Sequence, residues 1–233
     1  MPEVVPTSGE IALPYGLVRW WREGALHRRP LFLAAHGAGA PSASAFMRAL
    51  SAGLDQRGIA VLRFDFPYMT RGTGRRAAPD PAPVLLAACG AVLQLARSWL
   101  AGSAPPASLA VGGKSMGGRM WSMLLASGEA AAVQAALYFG YPLHPPGKPQ
   151  SLRRDHLAAV PVPQLFVSGS RDTLARLDLL QETVAALPRA RLHLVEGGDH
   201  SLATHRRAPP DGSEAWLDAA AQFVHETTAA AGR

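Results

Sequence analysis

Short apolar runs recur along the chain, and most are followed by a stretch whose apolar residues return at helical spacing. Leu31–Ala35, Ile59–Phe66, Leu109–Val111, Ala135–Phe139, Gln164–Val167 and Arg191–Val195 read as strands. Leu31–Ala35 has no polar alternation, as expected of a strand covered on both faces. Helices are predicted over Ser42–Arg57, with Ser42 or Ser44 as N-cap and Gly58 as the stop, and over Met116 to about Ser127. A long helix starts between Pro79 and Pro83 and runs to about Leu100, carrying the stripe Leu85, Leu86, Cys89, Leu93 and Leu95-Ala96; Gly102–Pro106 closes it. Two more are predicted from about Leu174 to Leu187 and from about Ser213 to Ala229. Within residues 1–30, Gly16–Trp21 reads as a strand and Glu23–Arg29 as a turn, together an opening hairpin at the sheet edge. Strand and helix patterns alternate without repeats or linkers. The expected fold is therefore a single α/β domain over 1–233, with a doubly wound, mainly parallel sheet and helices on both faces.

Gly140–Pro149 is proline-rich and cannot be regular structure. It is expected to lie over the pocket as a stiff rim. Only about two dozen residues separate the strands on either side of it, so any cap is minimal and the pocket accessible.

Composition narrows the class. At 233 residues, 48% of them hydrophobic, the chain fills one substantial core. Its one cysteine, Cys89, excludes a disulfide framework and a cysteine metal site, and its apolar neighbours mark an inert buried thiol. No cluster has metal-ligand spacing, so no metal or other cofactor is expected. Met1–Glu10 lacks a basic region followed by an apolar core, and no apolar run reaches about 18 residues. A cytoplasmic enzyme without membrane contact is the default expectation. The net charge of +6 is almost wholly arginine, the only lysines being Lys114 and Lys148. The arginine pairs are scattered and not interleaved with aromatics, so nucleic acid is not an expected partner. The sequence leaves the oligomeric state open.

The chemistry centres on Gly113-Lys-Ser-Met-Gly117, between an apolar strand and a helix. This is the setting of a G-x-S-x-G nucleophile elbow. The sharp turn forces Ser115 into a strained conformation, and Gly113 and Gly117 remove the collisions that side chains would cause. Gly-Lys-Ser also ends a phosphate-binding P-loop, but that pattern needs glycine at position 108, where Ser108 stands. After the turn, the backbone N–H of Met116 is free to bind an oxyanion. A second donor is expected from the glycine-rich turn His36-Gly-Ala-Gly-Ala40, with Ala38 as the candidate and His36 tying the loop down.

Ser115, Asp172 and His200 fall at successive strand ends in the order nucleophile, acid, histidine. A serine hydroxyl needs a base of pKa near 7, and the imidazole needs a carboxylate on its other nitrogen to fix the tautomer. Asp172 also fits a turn or helix-cap role; Asp199, His144 and His156 fit structural, loop-tying roles better than catalysis. Pro67–Arg76 leaves the active-site edge of a strand. Its Arg71, Arg75 and Arg76 either attract an acidic substrate or lie on a solvated loop. Tyr68, Tyr141 and Arg71 are candidate substrate-pocket residues.

Ala35-His-Gly-Ala-Gly39, Leu62-Arg-Phe-Asp-Phe-Pro-Tyr-Met69, Gly112-Gly-Lys-Ser-Met-Gly-Gly-Arg119, Gly140–Pro149 and Gly197-Gly-Asp-His200 resemble the KANL3/Tex30-like branch of the α/β-hydrolases, related to dienelactone hydrolases. The resemblance covers about Leu31 to Leu202. It implies an α/β-hydrolase fold with Ser115, Asp172 and His200 as nucleophile, acid and base. Dienelactone hydrolases carry a cysteine nucleophile, so their substrate does not carry over. The branch mostly lacks established substrates, and its large eukaryotic relatives look like subunits of chromatin-modifying assemblies. The expected function is a serine hydrolase for a small-molecule carboxylic ester or thioester. The alternatives are a non-catalytic interaction module of the same fold and, more weakly, a peptidase.

Overall fold

The computed structural model describes residues 7–26, 29–71, 78–101, 108–129, 131–204 and 213–231. The strands are β1 (Ser8–Leu13), β2 (Gly16–Glu23), β3 (Leu31–Ala35), β4 (Ala60–Asp65), β5 (Leu109–Lys114), β6 (Val133–Phe139), β7 (Gln164–Gly169) and β8 (Ala190–Val195). They form one open eight-stranded sheet in the order β1-β2-β4-β3-β5-β6-β7-β8. β1 and β2 run antiparallel to each other, β2 runs antiparallel to β4, and every other pairing is parallel. The helices are α1 (Ala45–Gln56), α2 (Pro67–Thr70), α3 (Ala82–Leu100), α4 (Met116–Ala126), α5 (Leu177–Ala185) and α6 (Ser213–Ala231).

The apolar runs explain the layers. Along β3, Leu31, Leu33 and Ala35 enter the core shared with α3, α4 and α5, while Phe32 and Ala34 enter the core shared with α1 and α6. A strand buried on both faces has no polar side, hence the unbroken apolar run. Each fully buried Leu or Phe contributes about 1.5–3 kcal/mol of burial free energy. Ser44 caps α1, its hydroxyl accepting from Met47 N at 3.5 Å, and Gly58 follows the helix at φ 81°. Of the two expected cap residues, Ser42 is instead buried, its N–H held by Asp65 Oδ1 at 2.7 Å.

Four expectations change. The hairpin partner of β2 is β1, which precedes it, rather than the segment after Glu23; Leu13 pairs with Gly16 across the turn. Pro67–Thr70 forms a helical turn, started by extended Phe66 and by Pro67 at the first position. α5 begins at Leu177 rather than Leu174, because Asp172 Oδ1 takes the Leu174 N–H at 2.8 Å and holds a turn there. α3 is long and apolar enough to cross a membrane by length and composition, although no such segment was expected. Here it lays Leu85, Ala88, Cys89, Val92, Leu93 and Ala96 into the core. The expected closing segment Gly102–Pro106, and Arg75 and Arg76, lie outside the described residues.

β5 is central, between β3 and β6, and delivers Ser115 to the sheet's C-terminal edge at φ 49°, ψ −116°. That conformation costs a non-glycine residue about 1–3 kcal/mol. A glycine there also loses about 0.4–1 kcal/mol through its freer unfolded state, which is less than the strain relieved. Ser115→Gly is therefore expected to unfold at a temperature a few degrees above Ser115→Ala, both lacking the hydroxyl; equal melting temperatures in paired thermal unfolding would remove the strain from the elbow.

Candidate active site

Three strand ends supply the polar groups. Ser115 ends β5 and starts α4, its N–H bonded to Phe139 O at 2.9 Å and its carbonyl accepting from Arg119 N at 3.1 Å. A Cβ on Gly113 would strike the Ala35 carbonyl, and one on Gly117 would strike the carbonyls of Ala35 and His36. Two glycines are thus required for the elbow to close on β3.

The loops after β7 and β8 are knitted together. Arg171 N donates to Gly198 O at 2.8 Å, Ser170 N donates to Val195 O at 3.0 Å, and Gly197 N donates to Ser170 Oγ at 2.8 Å. Gly169 packs so tightly on Gly198 and Asp199 that any side chain would collide with their carbonyls. This knitting sets Asp172 against His200. Nδ1 of His200 lies 2.9 and 3.0 Å from the two Asp172 oxygens, and Nε2 lies 2.9 Å from Ser115 Oγ. An ionised carboxylate only accepts, so Nδ1 carries the proton and Nε2 is left to accept from the serine hydroxyl. The Asp172 carboxylate is wholly buried, while a quarter of the His200 side chain is exposed. Asp199 faces away, its Oδ1 accepting from Ser201 N at 2.7 Å and Ala203 N at 3.1 Å, as a turn residue does.

The glycine-rich turn lies beside this line. A Cβ on Gly37 would rest 3.6 Å from that of Ser115. Among the described residues, neither the Ala38 nor the Met116 amide donates to a protein acceptor. His36 is fully buried; its Nδ1 donates to Gly37 O at 2.7 Å and its Nε2 accepts from Phe66 N at 3.1 Å. Burial lowers its pKa, which suits a neutral ring with one donor and one acceptor.

The three candidate pocket residues make hydrogen bonds within the chain. Tyr68 is only 1% exposed, and its hydroxyl donates to Ala38 O at 3.1 Å; it supports the glycine-rich turn from below. Tyr141 is equally buried and donates to Arg153 O at 2.8 Å, fastening the rim. Arg71 pairs with Asp80 and donates to Tyr15 O at 2.7 Å, so its charge is spent near the β1–β2 turn. His144 accepts from Arg176 N at 3.1 Å, and His156 lies 2.8 Å from Ser122 Oγ; both tie loops.

Lys114 was legible only as the variable residue of the elbow motif. It is a buried cation whose Nζ donates to the His200 carbonyl and stands 5.4 Å from the centre of the Phe46 ring. Burial lowers its pKa to about 8, with Asp172 and Asp199 pulling it back up. The folded state therefore disfavours the ammonium form: that cost is full below about pH 8 and fades toward the ordinary value of 10.5. The signal available in the sequence was a lone lysine ending an apolar strand.

A cavity of about 670 Å³ opens where β6 and β8 begin, lined by Val133, Gln134, Arg189, Arg191, Phe223 and Glu226 among others. None of the three aligned residues borders it, and its Arg191 and Glu226 neutralise each other. Among the described residues, no group of three or more His, Cys, Asp or Glu is placed to hold a metal.

Comparison with known proteins follows the same lines. The model of the family described as an alpha/beta hydrolase domain matches residues 28–228. Est1E from Butyrivibrio proteoclasticus superposes with a TM-score of 0.72 at 16% identity, over 96% of this chain and 100% of that one. Dienelactone hydrolase from Anabaena variabilis gives 0.64 at 21% identity, over 95% and 97%. The thioesterase domain from the curacin biosynthetic pathway gives 0.65 at 14% identity, over 94% and 98%. At these identities the likeness is one of fold. With its open, mostly parallel sheet, helices on both faces and a family match spanning most of its length, the chain belongs to the alpha/beta hydrolase domain family.

Proposed function

We propose that the protein is a serine hydrolase that cleaves small carboxylic esters or thioesters through an acyl-enzyme. The observation that carries this reading is the continuous line Ser115 Oγ, His200 Nε2, His200 Nδ1, Asp172, with each separation at hydrogen-bond distance. His200 takes the Ser115 proton on Nε2 as Oγ attacks the substrate carbonyl. Asp172, buried and ionised, stabilises the imidazolium and holds its orientation. The carbonyl oxygen becomes an oxyanion, for which the Met116 and Ala38 amides are the assigned donors. Collapse breaks the bond to the leaving group, and His200 returns the proton to the departing alcohol or thiol. Water, deprotonated by the same imidazole, then attacks the acyl-serine; its collapse releases the carboxylic acid and restores Ser115.

Ester and thioester substrates are supported by the chemistry above and by fold neighbours named as a cold-adapted esterase and a thioesterase domain. Membership of the KANL3/Tex30-like branch is part of the same proposal and rests on Gly112–Arg119 and Gly140–Pro149.

Labelling with a fluorophosphonate probe, read by intact mass, is expected to give one adduct on the wild type and none on Ser115→Ala or His200→Ala. A folded wild type that takes no adduct would overturn the reading. Asp172→Asn is expected to lower kcat on a p-nitrophenyl ester by about 10³–10⁴-fold with KM little changed, because an amide no longer holds the productive tautomer. A loss under tenfold in steady-state assays would mean that Asp172 only builds the turn.

A further inference from the structure

We propose that Arg119 and Arg153 form an anion-recognising subsite beside Ser115, so that the esters this protein turns over carry a carboxylate; this rests on the hydrolase reading above. The placement follows from the helix. Ser115, Arg119 and Ser122 are spaced i, i+4, i+7, one stripe of α4. Ser122 on that stripe meets His156 at 2.8 Å, and His156 lies 3.4 Å from the hydroxyl of Tyr141 in the rim, so the stripe faces the rim. Helical side chains lean toward the helix N-terminus, which carries Arg119 back over the turn that begins at Ser115.

Arg153 comes from the other side. The rim is fastened by Arg153 N to Leu143 O at 2.8 Å and Tyr141 OH to Arg153 O at 2.8 Å, with the Tyr141 hydroxyl 3.4 Å from His156 Nε2. The rim starts at Gly140, which packs against His200 and Lys114. One chain of contacts thus runs from the nucleophile's helix through Ser122, His156 and Tyr141 to Arg153.

What marks a ligand is the missing acid. Partly buried Arg29 and Arg154 and buried Arg63 each meet a carboxylate. Among the described residues, neither Arg119 nor Arg153 has a side-chain hydrogen bond or a carboxylate partner, and Nε of Arg119 is shut off from water without an acceptor. Burial and then the Arg119 charge lower the Arg153 pKa, and burial and then the same charge lower that of His156. Asp155 acts on His156, and Asp172 is committed to His200. Two arginines held together without an anion are unfavourable alone and favourable once one binds, and a planar carboxylate matches the guanidinium fork. This subsite replaces Arg71 as the source of any preference for anionic substrates.

The test separates binding from turnover. On Ser115→Ala, calorimetry at low ionic strength is expected to show monomethyl glutarate binding at least about tenfold tighter than neutral methyl pentanoate. That preference is expected to weaken with salt and to vanish when Arg119→Met or Arg153→Met is added. Arg119→Gln and Arg153→Gln decide the matter if the methionine variants do not melt cooperatively. In the wild type, kcat/KM for p-nitrophenyl hemiglutarate is expected to exceed that for p-nitrophenyl pentanoate, with the ratio collapsing in the same variants. Equal affinity for the two ligands, or a preference untouched by the arginine substitutions, overturns the subsite. Selective binding with no probe labelling and no turnover would instead overturn the hydrolase reading and leave the subsite standing.

Discussion

The site depends on an absence of clearance between two backbones. Where β5 turns into α4, the chain passes so close to the Ala35 carbonyl of β3 that neither Gly113 nor Gly117 can carry a Cβ. This contact fixes the height and direction of Ser115 and, through Gly37, brings the glycine-rich turn against it. Everything else at the sheet edge is positioned relative to that fixed point. The imidazole reaches Ser115 because the loops after β7 and β8 are tied by two backbone bonds and one to the Ser170 hydroxyl, and Asp172 stays aimed because its own Oδ1 also closes a turn. Precision comes from rigid strand ends, with little required of long loops.

How far the chain was legible follows from which forces decide each part. The central strands are covered on both faces, so their apolar runs stand out, and their boundaries fall within a few residues of those read from sequence. The turn at Ser115 was legible because a strained conformation demands glycine on either side, and Asp172 and His200 were expected beside it because each follows a strand end. β1 was missed because an edge strand buries only alternate residues; Ser8–Leu13 offers little beyond Ile11 and Leu13. Tyr68 and Tyr141 were expected at a pocket because tyrosines on edge loops often line one. Which way a ring points is decided by tertiary packing, here against the glycine-rich turn and the rim. The pairing of Arg71 with Asp80 was not legible for a related reason: the two are near in sequence, but nothing local says that they meet.

Positive charge near the site is arranged in two ways. Lys114 is buried with its ammonium against the His200 carbonyl, close enough to Asp172 and Asp199 for them to recover part of its desolvation cost. It links the strand that leads into Ser115 to the loop that carries His200. Among the described residues, no carboxylate pairs with Arg119 or Arg153.

β8, at the end of the sheet, has a strand neighbour on one side only, and five of its six residues are not fully buried. His200 hangs from the loop that follows it, whereas Ser115 stands at the sheet's centre. Ser115 and His200 therefore belong to regions of unequal local stability. A brief fraying of that outer strand would carry the imidazole away while the core stayed intact. The contact between His200 and Ser115 therefore depends on how firmly β8 stays in the sheet, whereas the placement of Ser115 does not.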